Sequence, residues 1–235
     1  MTKAKVLAAL REAADAEKAA FYPSFFKAGK GEYAEGDKFL GVVVPEQRKI
    51  ARRFRGLPRR EVEKLLDSPW HECRLTGLLI LVERYQRGGD TEKESAAEFY
   101  LRKLDRVNNW DLVDASAHKI LGPHLEDRDR TVLYELAGSG ELWRERVAVI
   151  ATLHFIKQGE FDDTLRLADL LLEHEHDLIH KAVGWMVREV GKQHLATMER
   201  FLKPRYQRMP RTMLRYAIEK LPEAKRKRYL AGKIR

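Results

Sequence analysis

Five segments of this chain begin alike, and their spacing constrains the fold more than any other feature. In each segment a polar or basic residue leads an apolar helical run. Aligned on Arg74, Asp114, Arg146, Lys181 and Arg215, the segments recur after 40, 32, 35 and 34 residues. One further helical segment lies between each pair. A helix pair every ~35–45 residues is typical of HEAT-type repeats. The spacing therefore predicts an all-α fold, an α-solenoid of HEAT-like repeats.

Helical periodicity continues along the rest of the chain. Apolar residues recur at intervals of three and four, as in "WHECRLTGLLILVERY" and "WRERVAVIATLHFIKQG". Glycines and prolines interrupt the pattern often, which predicts about twelve helices of roughly ten to eighteen residues. The best β-like piece is "FLGVVVP", which Pro45 ends. Because no low-complexity linker divides the helices, we expect a single domain across residues 1–235.

The charge of the chain favours an anionic partner. Lys and Arg number 45 against 36 Asp and Glu, a formal net charge of +9. In a curved solenoid the second helix of each pair lines one face, and four of the five aligned positions on that face are basic. We therefore expect a basic concave groove, which suits a nucleic-acid backbone because each neutralised phosphate releases counterions. The alternative is an ordinary solvated face, where Arg and Lys are common.

Other compositional features limit the possible classes of function. Cys73 is the sole cysteine, so the chain has no internal disulfide, and a reducing compartment fits. The charged N-terminus lacks the apolar core of a signal peptide, and no apolar run approaches ~20 residues. We expect a soluble, cytoplasmic protein. His176 and His180 have a spacing that can bind zinc, but no third ligand converges on them, so no metal or cofactor is expected.

The stretch "NNWDLVD" places an indole and two carboxylates at the start of one predicted helix. Asn108 or Asn109 is a candidate N-cap. Asp111 falls in the first turn, where the helix dipole accounts for its charge. Asp114 lies one turn after Trp110 on the same face, which capping does not explain. A salt bridge to a neighbouring arginine and a chemical role both remain open for Asp114.

A second stretch, "KAVGWMVRE", aligns Lys181, Trp185 and Arg188 on one helical face. Gly184 lies inside this helix at a cost of about 1 kcal/mol relative to alanine. Close approach of another backbone or of a ligand would explain the glycine. Core packing is the alternative for Trp185.

These stretches, together with "FLGVVVPEQRKIAR", "WRERVAVIATLHFIK" and "IHKAVGWMVREVGK", resemble the AlkD-like DNA alkylation repair glycosylases over nearly the whole chain. The resemblance implies excision of cationic N3- and N7-alkylated purines, such as 3-methyladenine and 7-methylguanine, from duplex DNA. The N-glycosidic bond is hydrolysed without flipping the base and without a metal or cofactor. The partner would be double-stranded DNA carrying alkylated bases, and the protein would act as a monomer in base excision repair.

The resemblance also implies roles for individual residues. Asp114 is similar to the catalytic carboxylate, and Trp110 and Trp185 to the two indoles that flank the deoxyribose. The predicted DNA-binding residues, taken from the resemblance, the repeat row and the basic stretch "KPRYQRMPRTMLR", are Arg146, Arg188, Lys181, Arg48, Arg74, Arg211 and Arg215. Phe26 stands where some relatives have a tyrosine that touches DNA. The alternatives are a non-catalytic repeat protein that binds distorted or branched DNA and a protein-binding scaffold.

Overall fold

The computed structural model describes residues 1–234, and the all-α prediction is confirmed. Within that range the chain forms fifteen α-helices and one short 3₁₀ helix, Leu104–Arg106. The first seven are α1 Lys3–Glu12, α2 Ala16–Phe25, α3 Val44–Arg53, α4 Arg59–Leu66, α5 His71–Arg87, α6 Asp90–Arg102 and α7 Trp110–His124. The others are α8 Thr131–Ala137, α9 Leu142–Ala151, α10 Leu153–Lys157, α11 Asp162–Leu170, α12 Asp177–Gln193, α13 Leu195–Leu202, α14 Arg211–Ala217 and α15 Glu223–Leu230.

The prediction of twelve helices is too low, because some continuous apolar patterns are divided. "WRERVAVIATLHFIKQG" forms two helices, α9 and α10, which meet at Thr152. Thr152 donates both its backbone amide and its hydroxyl to the carbonyl of Val149, at 3.2 and 2.7 Å. Such an i to i−3 bond tightens the turn and interrupts the α-helical pattern. The helix periodicity on either side is the same, so the sequence pattern does not mark the break.

The chain comprises two compact units, residues 1–124 and 125–235. In the first unit α5 is the central helix, and α3, α4, α6 and α7 pack against it. All residues of α5 from His71 to Val82 are buried. A helix that is buried on all sides belongs to a core rather than to a surface. The single-domain expectation stays a prediction.

In the second unit α12 is the central helix and contacts α9, α13 and α14. Gly184 explains how α12 and α14 come so close. A Cβ atom at Gly184 would lie 2.4 Å from the carbonyl oxygen of Met213 and 2.6 Å from Cβ of Tyr216, both on α14. The predicted close approach of another backbone at Gly184 is therefore confirmed.

The five aligned residues lie on α5, α7, α9, α12 and α14, so the predicted alternation of helices is present. Within the first unit α5 packs on α7, and within the second α12 packs on both α9 and α14. One repeat departs from the pattern, because two helices, α10 and α11, separate α9 from α12. The helix pairing inside each unit agrees with HEAT-like repeats.

The β-like piece forms no strand among the described residues; it adjoins one isolated bridge between Lys38 and Trp70. The carboxylate of Glu72 accepts the backbone amides of Leu40, Gly41 and Val42 at 2.8 to 3.3 Å. These donors would otherwise require a partner strand. Glu72 is 1% exposed, so a single buried side chain holds the extended segment against α5.

Candidate functional site

The helix that carries Trp110 and Asp114 begins where the sequence predicts. Asn109 is fully buried, and its Oδ1 accepts the amide of Trp110 at 2.8 Å while its carbonyl accepts the amide of Val113. The predicted N-cap is therefore Asn109. A buried amide side chain with these bonds fixes the entry of the chain into α7.

Trp110 and Asp114 lie one turn apart on α7, and both side chains are half-buried. The indole of Trp110 stacks on Phe26 with centroids 5.5 Å apart, and the ring of Phe25 meets it edge-on at 5.8 Å. Asp114 lies close enough to Tyr100 for its charge to act together with burial, and both raise the pKa of that phenol. The first unit thus presents a supported indole and a carboxylate on one helix.

Phe26 itself is 7% exposed, so it is a core residue rather than a surface contact. Its ring lies between those of Trp110, Phe39 and His71, with centroid distances of 5.5, 5.3 and 4.6 Å. Phe26, in place of a tyrosine, therefore packs its ring against the indole of Trp110 and supports it. The exposed aromatic rings of α2 are instead Phe21 and Phe25.

Asp111 does more than meet the helix dipole, and the capping interpretation is incomplete. Its Oδ2 pairs with Nε2 of His71 at 2.8 Å. On the other side of the imidazole, Nδ1 lies 3.3 Å from Oδ2 of Asp37, at the end of the glycine-rich loop 27–37. Sequence reasoning missed His71 and Asp37, because nothing in the repeat pattern links that loop to the starts of α5 and α7.

Arg74 corrects the predicted basic row. It is 4% exposed, and its guanidinium donates to Asp37 at 2.5 Å and to the carbonyl of Ser68 at 3.1 Å. A buried arginine in these bonds differs from the exposed arginine that the repeat alignment predicts, and its DNA contact stays a prediction. Arg48, on α3, is half-buried and forms no hydrogen bond or ion pair with the described residues. Its DNA contact stays a prediction.

In the second unit, α12 carries Lys181, Trp185 and Arg188 as the sequence predicts. The half-buried indole of Trp185 donates from Nε1 to Oε1 of Glu189 at 2.9 Å. Arg188 forms ion pairs with Glu219, two residues after α14, and, at 3.5 Å, with Glu189. Trp185 is therefore oriented by a carboxylate, and Arg188 already has two acidic partners.

Lys181 and Arg146 also have partners in the second unit. Lys181 pairs with Asp177 at 2.7 Å, one turn earlier on α12. Arg146 is 4% exposed, and its Nη1 donates to the carbonyl of Leu178 at 2.5 Å, which ties α9 to the first turn of α12. Arg146 thus differs from the surface arginine that the repeat alignment predicts. The phosphate contacts of both residues stay predictions.

The basic stretch on α14 is exposed only in part. Arg211 and Arg215 are exposed; Arg211 donates to the carbonyl of Leu230 at 2.8 Å, and Arg215 has no ion pair within residues 1–234. Just before α14, Arg205 is neutralised by Asp169 at 2.6 Å. Tyr206, which lies within the same stretch, is 5% exposed, so its ring belongs to the core and not to the basic surface. Arg211 and Arg215 are the cations of this stretch best placed for an anionic partner.

No helix within residues 1–234 is long and apolar enough to span a membrane. No group of three or more His, Cys, Asp or Glu in that range could hold a metal ion.

Together these features define a basic helical-repeat protein with a tryptophan–carboxylate pair on one helix. The model of a protein family described as "DNA alkylation repair enzyme" matches residues 6–221. The chain belongs to this family.

A solved structure supports the fold. The chain is similar to a "Predicted DNA alkylation repair enzyme from Enterococcus faecalis", with a TM-score of 0.69 and 18% identity over 89% of this chain and 97% of that one. At this identity the likeness concerns the fold. A comparison with curated proteins finds no match.

Proposed function

We propose that this protein is a DNA glycosylase that removes cationic N3- and N7-alkylated purines from duplex DNA. The observation that carries the proposal is the pair formed by Trp110 and Asp114, one turn apart on α7, in a basic chain of the DNA alkylation repair family. A carboxylate is an unfavourable neighbour for a polyanion unless it has a chemical role. A cation that forms during the reaction supplies one.

The chemistry follows from the charge of the lesion. Alkylation at N3 or N7 makes the purine cationic, so it leaves without protonation by a general acid. The bond between C1′ and the purine nitrogen breaks, and its electron pair neutralises the base. Positive charge then develops on the deoxyribose, where Asp114 stabilises it and orients a water molecule. The water oxygen bonds to C1′, its proton passes to the carboxylate or to solvent, and an abasic site and a free purine remain.

The indoles and cations have supporting roles in this proposal. The face of an indole such as Trp110 attracts a sugar that bears positive charge. The hydrogen bond to Glu189 fixes the orientation of Trp185, and the stack on Phe26 fixes that of Trp110. Exposed cations such as Arg215 bind the phosphates. We propose that the protein, like the family it resembles, leaves the lesion in the base stack and needs no pocket for a flipped base, in contrast to enzymes that extrude the target base.

The decisive experiment incubates the protein with a duplex that carries 7-methylguanine and measures the released base. The wild-type protein should release it, and Asp114→Asn should slow release by roughly 100- to 1,000-fold, as loss of an electrostatic group in an active site does. Binding to the same duplex should change little, because Asp114 contacts no phosphate in this proposal.

The matched control is Asp105→Asn, which removes an exposed carboxylate from the 3₁₀ helix of the same unit. It should leave base release unchanged. If the wild-type protein binds the duplex with a strong salt dependence but releases no base, the protein is a non-catalytic DNA-binding repeat protein. If binding does not weaken as salt rises, neither DNA function holds.

A further inference from the structure

A cluster of four ionisable side chains is buried beneath the start of α7. The side chains of Asp37, His71, Arg74 and Asp111 are exposed by 9%, 2%, 5% and 11%. Arg74 contacts Asp37, Asp37 contacts one ring nitrogen of His71, and Asp111 contacts the other. The proposed reaction uses none of these groups directly. Buried charges persist only when each has a partner, so the cluster acts as a unit.

The imidazole of His71 is the link in this cluster that joins three parts of the first unit. It bridges the loop before α3 to α7 through its two nitrogens, at 3.3 and 2.8 Å, and it belongs to α5. The imidazole can donate to both carboxylates at once only when both ring nitrogens carry protons. Oδ1 of Asp111 is buried and has no hydrogen-bond partner among the described residues, so the contact with His71 is made by Oδ2. Asp111 therefore depends on His71.

The same imidazole is connected to Trp110 by an aromatic stack. Phe26 lies 4.6 Å from the His71 ring and 5.5 Å from the Trp110 indole, nearly parallel to the latter at 20°. A cationic imidazole near an aromatic face is attracted to it. Trp110 is thus held along two routes, through Phe26 to the ring of His71 and through the adjacent Asp111 to its Nε2.

We propose that His71 is a positioning residue which, as an imidazolium between Asp37 and Asp111, fixes the first turn of α7 and the orientation of the Trp110 indole. This inference rests on the proposed function, in which Trp110 contacts the deoxyribose. His71 itself touches no substrate. Its role is to hold Trp110, and with it Asp114 one turn later, in the geometry that the reaction needs.

The two carboxylates around the imidazole favour its charged form, whereas the nearby positive charge of Arg74 opposes it and is outweighed. Asp111 comes from α7, Asp37 from the loop and Arg74 from α5, where Arg74 is itself bound to Asp37. Glu72, the next residue, is occupied by the amides of residues 40–42. Tyr22 of α2 lies near the carboxylates of Glu72 and Asp111, and burial raises the pKa of its phenol. None of these neighbouring groups replaces His71 as the partner of the Asp111 carboxylate.

The experiment uses the full chain labelled with 5-fluorotryptophan, so that fluorine NMR reports each of the four indoles. Trp110→Phe assigns the Trp110 line. His71→Phe keeps a ring in the stack but removes both nitrogens, and Asp111→Asn removes the charge on α7 that faces the imidazole. His154→Gln, which breaks an imidazole–carboxylate pair with Glu126 in the second unit, is the matched control. Base release from the 7-methylguanine duplex is measured alongside.

We expect His71→Phe and Asp111→Asn to shift or broaden the Trp110 line, and His154→Gln to leave it unchanged. Both variants should lower kcat on the order of tenfold to a hundredfold while KM changes little. Raising the pH of the wild-type protein until His71 loses its proton should move the same line, which tests the inference even if His71→Phe does not fold. An unmoved Trp110 line in the folded variants and at high pH would overturn it.

The outcomes also separate this inference from the proposed function. If the Trp110 line moves as expected but the wild-type protein releases no base, His71 positions Trp110 and the glycosylase proposal fails. If the wild-type protein is active and His71→Phe retains its full kcat, the positioning role is refuted while the proposed function stands.

Discussion

The start of α7 in the first unit and the helix α12 in the second place their charges in opposite ways. At the start of α7 in the first unit, the side chains of Asp37, His71 and Asp111 are 2% to 11% exposed and pair with one another. On α12 in the second unit, the charged side chains pair at or near the surface. Examples are Lys181 with Asp177, exposed by 38% and 54%, and Lys192 with Glu189, exposed by 42% and 17%.

This difference determines what each region can do with DNA. Breaking a buried pair leaves an unpaired charge in the interior, so buried pairs hold one geometry. Surface pairs contribute little to stability, so a phosphate can replace the carboxylate at small cost. The start of α7 is therefore suited to keeping the Trp110 indole and the Asp114 carboxylate in one fixed position. The second unit is suited to exchanging its carboxylates for phosphates.

The largest expected effect contrasts two arginines that the repeat alignment makes equivalent. Arg74→Met removes the partner of Asp37 in the interior and should lower the free energy of unfolding by about 3–5 kcal/mol. Arg215→Met, on the exposed surface of α14, should change it by less than about 0.5 kcal/mol. Urea unfolding measures both. Arg215→Met should instead weaken DNA binding and make the salt slope of the binding constant smaller by about one. Equal losses of stability would contradict the contrast.

The next effect is a pH dependence that belongs to the first unit. Burial alone lowers the pKa of His71, but Asp111 and Asp37 outweigh it and raise that pKa from 6.5 to about 9. A raised pKa adds stability in full below pH 6.5, and this stability is lost as the pH rises through about 9. The amount is on the order of 3 kcal/mol. Urea unfolding at pH 6, 8 and 10 should show the loss in the wild-type protein.

His71→Phe is the control for that titration, because lysines and tyrosines also titrate above pH 9. The variant should be less stable at pH 6, and its stability should fall less between pH 6 and pH 10. Parallel pH profiles for the two proteins would show that the pKa of His71 is not raised in the folded state.

The sequence predicts the helices and the site residues on α7 and α12 because both depend on local spacing. Trp110 and Asp114, or Lys181 and Trp185, are four residues apart, and helical geometry places such pairs on one face. The contacts of Arg74 and His71 could not be predicted in this way. Their partner Asp37 lies more than thirty residues earlier, in a glycine-rich loop without periodicity. The repeat alignment equates positions along the chain but carries no information on burial.

A smaller effect compares two glycines inside the central helices. A Cβ atom at Gly184 of α12 would meet the backbone of Met213 at 2.4 Å, whereas one at Gly77 of α5 would meet side-chain atoms of Leu66 and Leu65 at 3.1 and 3.2 Å. Side chains can yield, but the backbone of a packed helix cannot do so cheaply. Gly184→Ala should destabilise the protein by about 1–3 kcal/mol, as overpacking does.

Gly77→Ala is the matched control, since both changes add one methyl group to a helix interior. Its strain is offset by the gain of about 1 kcal/mol in helix propensity, so its unfolding free energy should stay close to that of the wild-type protein. Thermal unfolding of the two variants gives the comparison. If Gly77→Ala is the more damaging change, the α12–α14 contact is not the closest constraint on these helices.

The smallest effect on stability concerns the surface pair between Arg188 and Glu219. The Glu219 side chain is 43% exposed, so Glu219→Gln should change the free energy of unfolding by less than about 1 kcal/mol. The effect of Glu219→Gln on DNA binding should be larger than its effect on stability, because Glu219 pairs with the guanidinium of Arg188, which a phosphate would otherwise bind. Affinity at low salt should rise several-fold, with a salt slope steeper by about one. Glu223→Gln changes the net charge equally on α15, where Glu223 pairs with Lys227. An equal gain in both variants would mean that net charge alone, and not the release of Arg188, governs binding to this unit.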